Sequence, residues 1–253
     1  GSVGVGQRIA AACAGHMKKV QLEMGGKNPQ VVLDDADLNV AVELSVQSAF
    51  YSTGQRCTAS SRLIVEAPVH DAFVARLTQR LAALKVGHAL TRGTEMGPVV
   101  DGAQLEQNLS YMAIGADEGA EHVFGGERLE RETPGHYMSP ALWLAEPGHR
   151  IAREEIFGPI ACVLRADDYG HALELANDTP FGLCAGLCTT SLKHATHFRR
   201  HAQVGMTMVN LPTAGVDFHV PFGGRKDSSH GSREQGRYAA EFYTTVKTSY
   251  MLA

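Results

Sequence analysis

Apolar positions recur along the chain in two rhythms that take turns. In HDAFVARLTQRLAALKV (70–86), Phe73, Val74, Leu77, Leu81 and Leu84 follow the three-four spacing of an amphipathic helix. Short apolar blocks stand between such stretches and predict strands at Val31 to Leu33, in RLIVEA (62–67), and at 161–165, 184–189 and 204–210. Helices are predicted over the Ala-rich QRIAAACAGHM (7–17), through AVELSVQSAFYS behind a cap at Asp35 or Asp37, and near 104–118, 169–177 and 191–202. VQLEM (20–24) reads as a short strand stopped by Gly25 and Gly26, with Glu23 at its end. Strand and helix alternate throughout and no segment repeats. The expected class is α/β, a mostly parallel sheet with covering helices.

At 253 residues with 44% hydrophobic content, the chain can bury a full core, as one α/β unit or two unequal domains. Its net charge of −4 comes from interspersed signs with no long basic block, which argues against nucleic acid and anionic membranes as partners. The longest apolar runs, LIV at 63–65 and AGLC at 185–188, are far shorter than a membrane span, and nothing resembles an export signal. The five cysteines, Cys13, Cys57, Cys162, Cys184 and Cys188, are odd in number and form no C-x-x-C pair. That usage suits free thiols in a cytoplasm. A small-molecule enzyme is the expectation.

The chemistry concentrates in YSTGQRCTASSR (51–62). Small residues on both sides of Cys57 allow close backbone approach, and a helix starting near Cys57 would lower its thiol pKa through unpaired N–H groups. Buried packing is the alternative for a lone cysteine, and this stretch alone leaves both open. Cys184 and Cys188 alternate with apolar neighbours and read as core. His194, His197 and His201 share a helical face, but no nearby carboxylate or cysteine completes a metal site, and beside Arg199 and Arg200 they read as a solvated surface. No metal is expected.

Three further stretches change the weighting. LEMGGKNP (22–29), EEIFGP (154–159) and PFGGRK (221–226), taken with GQRC (54–57), resemble the aldehyde dehydrogenase superfamily in order and spacing. The resemblance runs from GSVGVG at the start, similar to that family's Gly-Ser-x-x-x-Gly turn, to VKTSYML at the end. It implies that Cys57 is the nucleophile and Glu23 the general base. A thiolate adds to an aldehyde carbon, the thiohemiacetal loses hydride to a nicotinamide, and water, deprotonated by a carboxylate, clears the thioester. The Cys57 N–H is one implied oxyanion donor. The second, an asparagine from an earlier segment, has no match among the 22 residues before Glu23.

For the cofactor, NAD or NADP with NAD favoured, the resemblance implies Gly1, Ser2 and Gly6 at a helix N-terminus facing the pyrophosphate, with Gly25, Glu155 and Phe157 about the nicotinamide ribose and ring. It divides the chain into the end of a dinucleotide-binding domain at 1–25, a catalytic domain at 26–225, and a return segment with an oligomerisation tail at 226–253. On that division the chain is the second half of a dehydrogenase, expected to fold, to bind dinucleotide poorly and to show little activity alone. The tail YTTVKTSYML has strand composition and is implied to bridge subunits of a homo-dimer or homo-tetramer. KDSSHGSREQG is similar to a subgroup that oxidises α-ketoglutaric semialdehyde. Val216 and Phe222 would line the substrate mouth, and Arg56 or Arg225 would pair with a substrate carboxylate unless engaged in surface ion pairs. Two rivals stand beside this reading, a cysteine-dependent ester or thioester hydrolase, which needs a histidine base, and a folded fragment without catalysis.

Overall fold

The computed structural model describes residues 1–253. Helix α1 (Val3–Ala14) leads to strand β1 (Leu22–Glu23). Then come β2 (Pro29–Val32), α2 (Leu38–Ala49), a 3-10 turn (Tyr51–Gly54), β3 (Arg62–Glu66) and α3 (His70–Ala82). The middle holds α4 (Gly102–Asp117), β4 (Glu121–Phe124), the small pair β5 (Arg128–Leu129) and β6 (Tyr137–Met138), β7 (Ala141–Leu144), α5 (Arg150–Arg153) and β8 (Ile160–Ala166). The chain finishes with α6 (Tyr169–Asn177), β9 (Phe181–Gly182), β10 (Cys184–Cys188), α7 (Leu192–His201), β11 (Met206–Val209), β12 (Arg225–Lys226), β13 (Ser229–His230) and α8 (Gly236–Tyr243). No helix is long and apolar enough to cross a membrane.

Seven strands form one sheet in the order β11-β10-β2-β3-β8-β7-β4, and every pairing is parallel except that of the edge strand β4. Successive side chains point to opposite faces, so each central strand feeds two cores. Val31, Ile64, Leu164 and Leu187 pack on one face with Ala172 and Leu175 of α6 and Phe198 of α7. Val32, Leu63, Val65 and Val163 pack on the other with α2 and with Phe73 and Leu77 of α3. Both faces are covered, which is why the strands read as unbroken apolar blocks rather than alternating ones.

Helix starts follow side-chain caps. Asp37 accepts from the N–H groups of Asn39 and Val40 and so caps α2, while Asp168 and Ser191 cap α6 and α7. Asp35, the other candidate cap, instead accepts from the hydroxyls of Thr189 and Thr190 and ties the end of β2 to the end of β10.

Two expectations need adjusting. Helix α1 begins at Val3 rather than Gln7, because Gly6, its one buried residue, lets the helix lie directly on Met24, where a Cβ would overlap the Met24 sulfur. The strand at 20–24 shrinks to β1, which lies outside the seven-stranded sheet and pairs antiparallel with β13, Leu22 opposite His230 and Glu23 opposite Ser229. Residues 244–253, expected to pair with another subunit, are exposed throughout in the single chain, which leaves them open to such pairing.

Phe73 is fully buried between α3 and the sheet. Phe73→Ala is expected to lower the unfolding free energy by about 3–5 kcal/mol. Urea denaturation followed by circular dichroism checks this, and a midpoint equal to the parent's would show that α3 does not carry that core.

Candidate functional site

Strands β2, β3, β8 and β10 run parallel and are neighbours in the sheet, so the segments leading into them lie side by side along one edge. Those segments carry Gly25 to Asn28, Gln55 to Ser61, Glu154 to Pro159, and Gly182 with Leu183. Above them opens a cleft of about 720 Å³. Gly1, Ser2, Arg56, Cys57, Glu155, Phe157, Val216 and Phe222 all line it. Residues far apart in sequence and singled out there thus meet in one place.

Cys57 lies in an irregular turn three residues past the 3-10 turn, and no helix starts there. The expectation of a thiol pKa lowered by a helix N-terminus is therefore wrong. Burial pushes the thiol up, the Glu23 carboxylate adds to that, and the N–H groups of Cys57 and Thr58 only partly oppose it. The turn is held from below. Asn28 Nδ2 donates to the carbonyls of Cys57 (2.7 Å) and Ala59 (2.9 Å), and Gly26 comes so close that a Cβ on it would stand 2.7 Å from the Cys57 oxygen.

Two of the seven non-glycine residues with positive φ, Phe157 and Gln235, line the same cleft. Ser52 and Thr53 both have positive φ, 56° and 60°, and so do Phe157 at 59° and Gln235 at 63°. Each such residue costs on the order of 1–3 kcal/mol and persists only where its surroundings fix it. Thr53 is fixed by its hydroxyl, which donates to the carbonyl of Gly97 at 3.1 Å. Gly54 follows, also left-handed, with its Cα face against the backbone of Gly158, so that the Cys57 approach and the Phe157 loop support each other.

Besides burial, two carboxylates, Glu23 and Glu155, push the Cys57 thiol pKa up by their charge. Glu23 is half-buried and lies outside the cleft lining; burial pushes its pKa up to about 7, although Ser229 Oγ donates to its Oε2 at 2.7 Å. Its Oε1 is buried without a partner. Glu155 accepts the Gly26 N–H at 2.8 Å, and burial raises its pKa as well. Gly25 is not in the cleft but lies under the Glu155 carboxylate, leaving room for it. Ser2 stands at the N-cap of α1 with its hydroxyl making no cap bond, and it lines the cleft together with Gly1.

Arg56 departs from its expected role. Its Nη2 donates to the carbonyls of Gln47 (2.6 Å) and Ser48 (3.4 Å), so that end of the guanidinium serves α2 rather than a substrate; Nε is buried without a partner. Arg225 is exposed on β12, outside the cleft. Two histidines of α7 engage a ring nitrogen, His197 Nδ1 with the Tyr169 hydroxyl and His201 Nδ1 with the His197 carbonyl, each at 2.8 Å, while His194 Nδ1 is buried without a partner.

Sequence reasoning passed over Asn28 and the cleft glutamines Gln55, Gln104 and Gln235. Asn28 stood inside the quoted LEMGGKNP, where its polarity just before an apolar block was the signal. Nothing in the sequence marks Gln235, whose place depends on the path of the chain after β13.

The aldehyde dehydrogenase family model matches residues 1–249. The α-ketoglutaric semialdehyde dehydrogenase of Bacillus subtilis is 42% identical over 99% of this chain and 52% of its own length. A betaine aldehyde dehydrogenase of Sinorhizobium fredii is 40% identical with the same coverage. Among solved structures, HpcC from Thermus thermophilus superposes with a TM-score of 0.93 at 38% identity, over 97% of this chain and 48% of that one. Betaine aldehyde dehydrogenase from Staphylococcus aureus, in complex with NAD+, gives 0.92 at 31% identity, over 96% and 48%. The chain spans about half the length of the curated relatives it matches.

The raised pKa of Glu23 has a consequence for stability. An unfolded chain releases this proton near the ordinary 4.5 and the folded chain near 7, so stability present below pH 4.5 is progressively lost as the pH rises through 7. Glu23→Gln removes that loss. The variant is expected to melt above the parent at pH values over 7, with the difference closing below 4.5. Thermal melts in the two ranges check it, and a variant that melts below the parent above pH 7 would mean the carboxylate is held by contacts that outweigh its burial.

Proposed function

The chain belongs to the aldehyde dehydrogenase family, and we propose that its cleft oxidises an aldehyde to a carboxylate with NAD, using Cys57 as nucleophile and Glu23 as general base. One observation carries the reading: the Cys57 turn, Glu155, Phe157 and the N-terminus of α1 border a single cleft, and the charge of Glu23 reaches the thiol.

The residues present fit the cofactor. Ser2 and the free amides of the first α1 turn suit a pyrophosphate, the Glu155 carboxylate suits ribose hydroxyls, and the Phe157 ring offers a flat wall. When bound, NAD supplies the two-electron acceptor. The chain's own groups do the rest. Near neutral pH Glu23 is divided between its two protonation states, so it can take the thiol proton from Cys57. The sulfur then adds to the aldehyde carbon, and the Cys57 N–H faces the developing oxyanion. After oxidation the acyl group is held on Cys57 as a thioester. Glu23, having passed the first proton to solvent, removes a proton from the water that attacks the thioester, the carboxylate product leaves, and the departing thiolate takes that proton back to restore the thiol.

For the substrate we propose an acidic semialdehyde such as α-ketoglutaric semialdehyde, supported by relatives that carry that name at 42% and 40% identity. The side chains of Gln55 and Gln235 in the lining are the polar groups on hand for its far end. A guanidinium in the wall disfavours the cationic tail of betaine aldehyde. A cysteine hydrolase is the weaker reading, because no histidine lines the cleft to serve as its base.

We assign residues 1–25 to the end of a dinucleotide-binding domain, 26–225 to the catalytic domain, and 226–253 to a return segment and oligomerisation tail. In support, the seven-stranded sheet lies wholly within 26–225, while β1 pairs with β13 and Lys19 donates to the carbonyls of Glu241 and Thr244. The exposed Val246, Tyr250, Met251 and Leu252 suit a homo-oligomer joined through the tail.

The test is absorbance of reduced nicotinamide in an enzyme carrying this chain, with α-ketoglutaric semialdehyde and betaine aldehyde compared. Cys57→Ala is expected to abolish turnover. Glu23→Gln should leave a burst of reduced cofactor and slow the steady rate about 10²–10⁴-fold. Turnover that survives Cys57→Ala would sink the proposal.

A further inference from the structure

We propose that Asn28 is a positioning residue for the nucleophile: its buried amide fixes the turn at Cys57 to Ala59, and with it the place of the sulfur and the facing of the peptide groups around it. The inference rests on the reading of Cys57 as nucleophile and deepens it.

Asn28 is 2% exposed, immediately precedes β2, and does not line the cleft. Its side chain bonds only to backbone. Nδ2 donates to Cys57 O at 2.7 Å and to Ala59 O at 2.9 Å, and Oδ1 accepts from Cys184 N at 3.1 Å. Both N–H donors and one of the two acceptor sites are thus in use. Its main chain adds a fourth tie, since the Asn28 carbonyl accepts the Arg62 N–H at 3.3 Å. One residue therefore joins the lead-ins of three adjacent strands, β10, β2 and β3, and the cysteine stands on the last of these.

No other side chain bonds to the carbonyls of Cys57 or Ala59. The turn's internal closure is the single bond from Ala59 N to Arg56 O at 3.0 Å. Asn28 thus grips both ends of the three-residue segment and fixes which way its peptide planes face. The amides of Cys57 and Thr58 are the groups that favour the thiolate against burial and the Glu23 charge. Without Nδ2 the two carbonyls lose their partners, the planes are free to rotate toward water, and the sulfur loses those donors. The thiol then ionises less readily, although nothing that touches substrate has changed.

The experiment measures alkylation of each cysteine by iodoacetamide in the full chain, by mass spectrometry, from neutral to alkaline pH. Cys13, on α1 and away from the site, is the internal reference. Asn28→Ala is expected to slow Cys57 about tenfold at neutral pH and to raise the midpoint of its pH profile by about one unit, the same effect read two ways. Asn28→Ser, which keeps one donor, should fall between that variant and the parent. A role in folding alone would instead speed the buried Cys162, Cys184 and Cys188 through opening and leave the Cys57 midpoint in place.

A folded Asn28→Ala with the parent's Cys57 rate and midpoint overturns the inference. If the alanine variant does not fold, folded Asn28→Ser decides in the same way: a raised midpoint supports the inference and an unchanged one overturns it. Should Cys57 of the parent react no faster than the buried Cys162, the nucleophile reading itself fails, whatever Asn28 does.

Discussion

Parallel pairing of β10, β2, β3 and β8 is the constraint on which the site depends. With Pro29 opposite Arg62 and Arg62 opposite Cys162, the strands begin level with one another, so their lead-in segments have to share one edge of the sheet. Ligands of open α/β sheets generally bind beyond the carboxyl ends of the strands. Here the cleft lies at the opposite, amino ends. The helices covering both faces leave that edge open, and the closeness of the lead-ins makes bulk there intolerable, as Gly26 against Cys57 and Gly54 against Gly158 demonstrate.

The same crowding sets the chemistry. Groups drawn partly out of water titrate nearer to neutrality, and the two acids beside the sulfur, Glu23 and Glu155, are both shifted upward by burial. Lys27, between the residues that hold Glu155 and Cys57, shows the converse: it is buried, its Nζ has no partner, and desolvation pulls its pKa down to about 8. The strained conformations of Ser52, Thr53, Phe157 and Gln235 belong to the same setting. Each lies on or beside the cleft, and a sheet with two covered faces supplies the rigidity that keeps them.

Legibility in the sequence follows how much of each feature is local. Helix α3 announced itself because Phe73, Leu77 and Leu81 must all face one sheet, and the central strands did so because burial on both faces makes an apolar block. Strands β4 and β7 did not: ALWL is short, and EHVF, on the antiparallel edge, is partly exposed. For the site, residue types were readable where motifs placed them, as for Cys57, Glu23, Glu155 and Phe157. Their surroundings were not. Whether a helix starts at Cys57 depends on left-handed Ser52 and Thr53, which ordinary propensities disfavour, and the direction of Arg56 depends on where the last turn of α2 leaves its carbonyls.

Floor and mouth of the cleft are held by different means. The floor, Cys57 with Glu155, hangs on strand lead-ins that cannot move without the sheet. The mouth, Val216 and Phe222, belongs to the segment between β11 and β12, which is anchored at buried Thr213 and where Phe222 pairs with Glu234. The Thr213 hydroxyl meets Ser60 Oγ at 2.8 Å, and its N–H donates to Ser48 Oγ at 3.0 Å. Beyond that anchor Asp217, Phe218 and His219 are exposed. Substitutions in this segment therefore alter the opening without disturbing the sulfur. That division suits a family in which relatives of nearly equal similarity, 42% and 40% identical to this chain, carry the names of dehydrogenases for differently charged aldehydes. The floor is fixed by the sheet, whereas the mouth is a strap fastened at Thr213 and again where Phe222 pairs with Glu234, with exposed side chains between.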